Sequence, residues 1–163
     1  MTILLVAITI EDLAGMAGIF NHYVEHTFST YTETPVSVAA FEELMAICPG
    51  YPALLARDES GAMVGFGILR PFSMIPAFFA TAELTCYLAP GFTRRGIGTM
   101  ILQALESAAG ELGITSIIAS ISSLNEDSLQ FHLKSGFAES GRLKGIGRKR
   151  GVRFDVVYLQ KEL

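Results

Sequence analysis

The stretch that most constrains this chain is a strand, a turn and a helix in direct succession, from Thr81 to Leu112. Thr81–Leu88 alternates polar and apolar residues as a strand does, and Pro90-Gly91 stops it. The turn Thr93-Arg-Arg-Gly-Ile-Gly-Thr99 follows. Ile97, Ile101, Leu105, Ala108 and Leu112 then recur at helical spacing, and Gly113 ends the run. A helix opening on such a turn leaves its first N–H groups without intrahelical acceptors, and its dipole adds partial positive charge there. Gly96 and Gly98 let the main chain approach a ligand oxygen, while Arg94 and Arg95 add full charges. The segment predicts an anion cradle, most naturally for a pyrophosphate. A Walker A loop would carry Lys where Ile97 stands, and a dinucleotide fingerprint would carry a small residue where Ile101 stands. A glycine-rich turn holding no ligand is the remaining reading.

The flanking sequence supplies a frame for that unit. Residues 2–9 predict a strand, and Thr9-Ile-Glu-Asp12 has the form of a capping box opening a helix to about His26. A Thr/Ser-rich loop, Thr27–Pro35, precedes Ser37, which caps a second helix to about Cys48. Ala53–Asp58 and Ala62–Leu69 flank the hairpin signal Glu59-Ser-Gly61, and Pro71 to Pro76 break the pattern. After the central helix come a buried strand at Thr115–Ser120, a short helix at Glu126–Lys134, and strands at Phe137–Leu143 and Arg153–Lys161. The order β-α-α-β-β-β-α-β-α-β-β predicts an α/β fold, a mixed central sheet flanked by helices, in one domain over residues 1–163.

Composition narrows the classes. Half of the 163 residues are apolar and 17% are charged, which excludes intrinsic disorder. The longest run without a charge, Leu112 to Asn125, has 14 residues, short of the roughly 20 a membrane helix needs. The opening ILLVAITI lacks a basic flank and a small-residue cleavage site, so it is not read as a signal peptide. Cys48 and Cys86 sit in apolar surroundings, as reduced thiols of a cytoplasmic protein would. Residues 1–56 hold six acids and no Lys or Arg, whereas six of the 12 bases fall between Arg142 and Arg153. Small basic islands on an acidic body suit a small polyanionic ligand better than nucleic acid. Solvated charges on a surface strand pair would give the same pattern.

Two further sites carry chemistry. Glu83 is the sole charged residue among the 23 from Pro71 to Thr93. It shares a strand face with Thr85 and Tyr87, and an apolar setting would raise its pKa toward that of a general base. An edge-strand Glu reaching water is the alternative. Asn125-Glu-Asp-Ser128 reads as a helix cap and first turn, with His132 one turn on between Phe131 and Leu133. His22 and His26 lie four apart on a predicted helix, and no third ligand has metal-site spacing.

Together these residues resemble the GNAT acyltransferase superfamily, which moves acyl groups from acyl-coenzyme A to amines. Arg94-Arg-Gly-Ile-Gly98 matches the core of its pyrophosphate motif, departing at Thr93. Within the superfamily, the chain resembles the phosphinothricin N-acetyltransferase branch more closely. The likeness runs from Asn21-His-Tyr-Val-Glu-His26 through Thr81–Leu88, Leu124–Ser128 and His132-Leu-Lys-Ser-Gly-Phe137 to Gly147-Arg-Lys and Asp155–Lys161.

The resemblance implies acetyl-coenzyme A as co-substrate, no metal, a small-molecule amine as acceptor and a homodimer. It puts the catalytic carboxylate at Glu83 and places the main chain of Cys86, Tyr87 and Leu88 along the pantetheine arm. The pyrophosphate falls on Arg94, Arg95, Gly96, Ile97, Gly98 and Thr99, and Asn125 with Ser128 near the thioester. His132 becomes a candidate acid for the leaving thiolate, and Phe28, Tyr31, Arg70 and Phe72 candidates for binding the acceptor. The branch carries Lys and Arg between its Gly-Pro-Trp turn and the catalytic Glu; here Ser73 and Ile75 occupy those positions, leaving Arg70 as the basic residue nearby. The implied reaction is direct attack in a ternary complex, with an amino acid or analogue of the phosphinothricin or methionine sulfone/sulfoximine type as acceptor. The alternatives are an acyl-coenzyme A-binding module without efficient transfer, or an acetyltransferase for an amine that is not an amino acid.

Overall fold

The computed structural model describes residues 2–163. It contains seven strands and four helices in the expected order: β1 Leu4–Ala7, α1 Leu13–His26, α2 Val38–Met45, β2 Ala53–Arg57, β3 Met63–Pro71, β4 Thr81–Leu88, α3 Ile97–Glu111, β5 Ser116–Ser122, α4 Glu126–Lys134, β6 Ala138–Lys149 and β7 Val152–Glu162. Short 3-10 turns at Ile10–Asp12 and Pro76–Phe78 are added. The strands form one sheet in the order β1-β2-β3-β4-β5-β7-β6. Every neighbouring pair is antiparallel except β4 and β5, which the helix α3 joins as a crossover.

Each face of the sheet buries its own core. Ile97, Ile101 and Leu105 of α3 pack on Leu84, Ile117 and Leu159 on one face. On the other, Met16, Phe20 and Val24 of α1 and Phe41 of α2 cover Leu55, Phe66 and Ile68. The period-3.6 apolar stripe of α3 and the alternation along β4 are what make these faces meet. α3 crosses β3 so closely that a Cβ on Gly67 would lie 2.4 Å from Ile101 Cγ2. No helix of the described residues is long and apolar enough to cross a membrane.

Three expectations change in detail. β1 is shorter than residues 2–9, and α1 is preceded by the 3-10 turn in which the Asp12 carboxylate accepts from the Thr9 N–H at 2.9 Å. β6 runs on to Lys149 instead of ending at Leu143. Gly141, Gly145 and Gly147 look like breakers in sequence, but they fall in or beside irregularities of the β6–β7 register, where glycine suits a bulge.

The feature that positions the site is a fork. β4 pairs with β5 at Thr81, Ala82 and Glu83 alone. Beyond Glu83, β4 continues along β3 to Leu88, while β5 continues along β7 to Ser122. The two strands part, and a cleft opens between them.

Candidate active site

One end of the cleft is the turn before α3. Arg94 and Gly96 both have left-handed backbones, φ 60° and 79°. Glycine adopts that region without strain, which explains Gly96 as the residue that starts the helix. The N–H groups of Gly96, Ile97, Gly98 and Thr99 have no acceptor among the described residues, and the first bond of the helix runs from the Met100 N–H to the Gly96 carbonyl at 3.0 Å. A row of main-chain donors with the helix dipole behind it therefore points out of the N-terminal end of α3. Arg94 reaches across to Asp127 at the start of α4, 2.8 Å away, with both side chains more than four-fifths exposed. Arg95 lies over the Phe92 ring, 5.2 Å from its centroid.

The wall of the cleft is the free edge of β4. The Ala89 N–H donates to the Val64 carbonyl, so alternation directs the main chain of Glu83, Thr85 and Tyr87 toward β3 and that of Leu84, Cys86 and Leu88 toward the open side. Tyr87 thus has no main-chain groups to offer a ligand on that edge; the sequence expectation for it is corrected by strand geometry. Its ring packs among Phe20, Tyr23 and Phe66 instead. The Leu88 carbonyl already accepts from the Tyr23 hydroxyl at 2.7 Å.

At the fork stands Glu83. Its carboxylate is not surrounded by hydrocarbon, as the charge-poor sequence suggests. Arg70, directly opposite on β3, places its Nε 3.2 Å from Glu83 Oε2. The pair is about a quarter exposed, on the wall of a cavity of about 200 Å³ on the α1–α2 side of the sheet. Tyr31, Thr85 and Ser120 also line it, and Tyr31 and Ser120 share a hydrogen bond of 3.1 Å. Phe28 and Phe72 are not part of the lining; Phe72 lies instead edge-on to Phe78 in the exposed loop after β3.

Across the cleft, the Asn125 side chain accepts from the Ser128 N–H at 3.3 Å and caps α4 as expected. His132 is 6% exposed between the rings of Phe131 and Phe137. Its Nδ1 lies 2.8 Å from the Ser128 carbonyl, which can only accept, so Nδ1 carries the proton. Burial pushes the imidazole pKa down and keeps it neutral near pH 7. His22 and His26 stack on each other, and among the described residues they join no cluster able to hold a metal.

Two parts of the site have little signal in the sequence. Ser120 shares its β5 face with Ser116, Ile118 and Ser122, opposite buried Ile117, Ala119 and Ile121, so alternation marks that face only weakly. Lys149 carries no such pattern. It is fully buried at the tip of the β6–β7 hairpin, and its Nζ donates to the carbonyl and hydroxyl oxygens of Thr30 at 3.1 and 2.9 Å. Beside it, the Arg150 N–H donates to Glu33, and its guanidinium to the carbonyls of Val24 and Glu25. The hairpin straps down the loop that walls the cavity.

The cleft thus joins a row of main-chain donors at one end to a carboxylate at the other, where the strands part. Residues 16–137 match the acetyltransferase (GNAT) family. The chain belongs to that family. Among its GNAT relatives, the L-methionine sulfoximine/L-methionine sulfone acetyltransferase of Pseudomonas paraeruginosa is 34% identical over 94% of this chain and 91% of its own length. The phosphinothricin N-acetyltransferase of Streptomyces coelicolor is 31% identical over 94% and 92%. Of solved GNAT structures, a phosphinothricin acetyltransferase from Sinorhizobium meliloti in complex with AcCoA superposes with a TM-score of 0.91 at 31% identity, covering all of this chain and 89% of that one. As a GNAT protein, this chain is an acyl-coenzyme A-dependent N-acyltransferase.

Proposed function

We propose that the protein moves the acetyl group of acetyl-coenzyme A to the primary amine of a small amino acid or amino-acid analogue, in a ternary complex, with Glu83 as general base. The parting of β4 from β5 at Glu83 carries the reading, because it puts a proton acceptor at the point where an added strand-like ligand would end. The pyrophosphate would sit on the amides of residues 96–99, with Arg94 and Arg95 beside it. The pantetheine arm would run back along the open groups of Leu88, Cys86 and Leu84, past Asn125 and Ser128. Leu88 is five residues from Glu83, about 17 Å along a strand, so it serves the phosphate end. The N–H that polarises the thioester carbonyl belongs nearer Glu83, at Leu84 or Cys86.

Glu83, directly or through a water, takes a proton from the acceptor ammonium. The amine nitrogen forms the C–N bond and the C–S bond breaks; the nitrogen's second surplus proton passes, directly or through water, to the departing sulfur, so coenzyme A leaves as the thiol. No residue is acylated: burial pushes the Cys86 thiol up to about 12, which makes it a poor nucleophile. Protonation of the thiolate by His132 would need the cationic imidazole that burial opposes, so we assign His132 to holding Ser128 in place. Tyr31 and Arg70 would meet the acceptor. The exposed apolar loop of Phe72, Met74, Ile75, Phe78 and Phe79 supports a homodimer, and the free thiols of Cys48 and Cys86 support a cytoplasmic location.

The test is an acetyl-transfer screen read by free thiol, with methionine sulfone, methionine sulfoximine, phosphinothricin and simple alkylamines. Thiol release with at least one amino-acid analogue is expected. Binding of acetyl-coenzyme A with no release against the whole panel would contradict transfer.

A further inference from the structure

The acceptor cavity contains one cation and one anion, and they are bonded to each other. Among its lining residues Arg70 and Glu83 are the charged ones, at 3.2 Å, and the rest are hydroxyls, aromatic rings and aliphatic side chains. Arg70 is further held by donating from Nη1 to the Leu44 carbonyl of α2 at 3.3 Å. An acceptor ammonium arriving alone at Glu83 must stand beside the Arg70 guanidinium, and like charges that close repel strongly in a partly dry site. A carboxylate arriving alone at Arg70 meets the same objection from Glu83. A molecule carrying both charges on one carbon meets neither.

We propose that the Arg70–Glu83 pair is the recognition site for a zwitterion and is closed in its absence: the acceptor's carboxylate replaces Glu83 on Arg70, and its ammonium takes the carboxylate so released. The base becomes free to receive a proton when an α-amino acid has bound, and an amine lacking the carboxylate is rejected at that step. Arg70 is then a specificity residue, set opposite Glu83 by the β3–β4 register and not by the loop that follows. The inference rests on the transfer reaction proposed above and adds that its base stays masked until an acceptor carrying both charges binds.

The experiment compares methionine sulfone with 3-(methylsulfonyl)propan-1-amine, which lacks only the carboxylate, in the unsubstituted chain and in Arg70→Met. Unsubstituted protein should prefer the amino acid. In Arg70→Met its kcat/KM should fall about 10- to 100-fold, the worth of a charged hydrogen bond, while that of the amine rises. Calorimetry with acetyl-coenzyme A establishes that the variant is folded. A reading free of any substitution comes from competition: 4-(methylsulfonyl)butanoate and the amine, each carrying one charge, should both bind far more weakly than the zwitterion. Parallel loss for both acceptors in Arg70→Met, an unchanged amino-acid rate, or a single-charge half binding as tightly as the whole would overturn the exchange. Thiol release with the simple amine alone would also overturn it, yet leave transfer standing. No release with any amine overturns the transfer reaction itself.

Discussion

The two halves of the site are built from different material. On the side we assign to acetyl-coenzyme A the groups offered are main-chain amides, set by the backbone of residues 94–99 and by the free edge of β4. On the side we assign to the acceptor they are side chains from distant parts of the chain: Tyr31 from the loop after α1, Arg70 from β3, Ser120 from β5, with Lys149 bracing the loop from the β6–β7 hairpin. A site made of backbone depends on local conformation and tolerates changes of side chain. A site made of side chains depends on tertiary placement, and a change far along the chain can disturb it.

That contrast predicts which substitutions matter to which half. Lys149→Met leaves the Thr30 carbonyl and hydroxyl buried without donors, so stability should fall by about 1–3 kcal/mol in chemical denaturation. The acceptor KM should rise while acetyl-coenzyme A affinity holds; a rise in the dissociation constant for acetyl-coenzyme A instead would show the halves are not separate. Gly96→Val should do the reverse. Forcing a branched residue into φ 79° costs about 1–2 kcal/mol and crowds the amide row, so acetyl-coenzyme A binding by calorimetry should weaken with acceptor KM little changed.

Burial of His132, across the cleft from β4, should make stability depend on pH. His132 has its pKa lowered by burial, so as pH falls below the ordinary 6.5 the unfolded chain takes up a proton that the folded one refuses. Stability should be full above that value and decline below it, by up to about 1.4 kcal/mol per pH unit. Melting temperatures between pH 7 and 5 should show that decline flattened in His132→Gln. Arg94→Ala is the smallest effect expected. Its pair with Asp127 is exposed on both sides and contributes about 0–1 kcal/mol, so the melting temperature should barely move.

The same contrast decides how much the sequence could say. The turn and helix that we assign to the cofactor were legible because turn chemistry and helix periodicity are local: Gly96, Gly98 and the stripe from Ile97 to Leu112 suffice to place them. Alternation along β4 likewise put Glu83 with Thr85 and Tyr87 on one face, as found. The same alternation, carried to the hydrogen-bond direction, excludes Tyr87 from the free edge, but it needs the identity of the neighbouring strand. The setting of Glu83 was not legible at all. Its partner Arg70 is 13 residues away and meets it through a register that the intervening loop conceals. Lys149 and Thr30 are 119 residues apart, and nothing local distinguishes that lysine from the solvated basic residues around it.

We place donor binding and proton removal in separable groups, one in the backbone of a turn and one in a carboxylate at the fork. Glu83→Gln, measured for acetyl-coenzyme A affinity by calorimetry and for turnover by thiol release on one preparation, tests it most directly. Affinity should be unchanged and kcat lowered by about 10²- to 10⁴-fold, the usual loss with a general base. Turnover that survives the substitution, or affinity that falls with it, would contradict it.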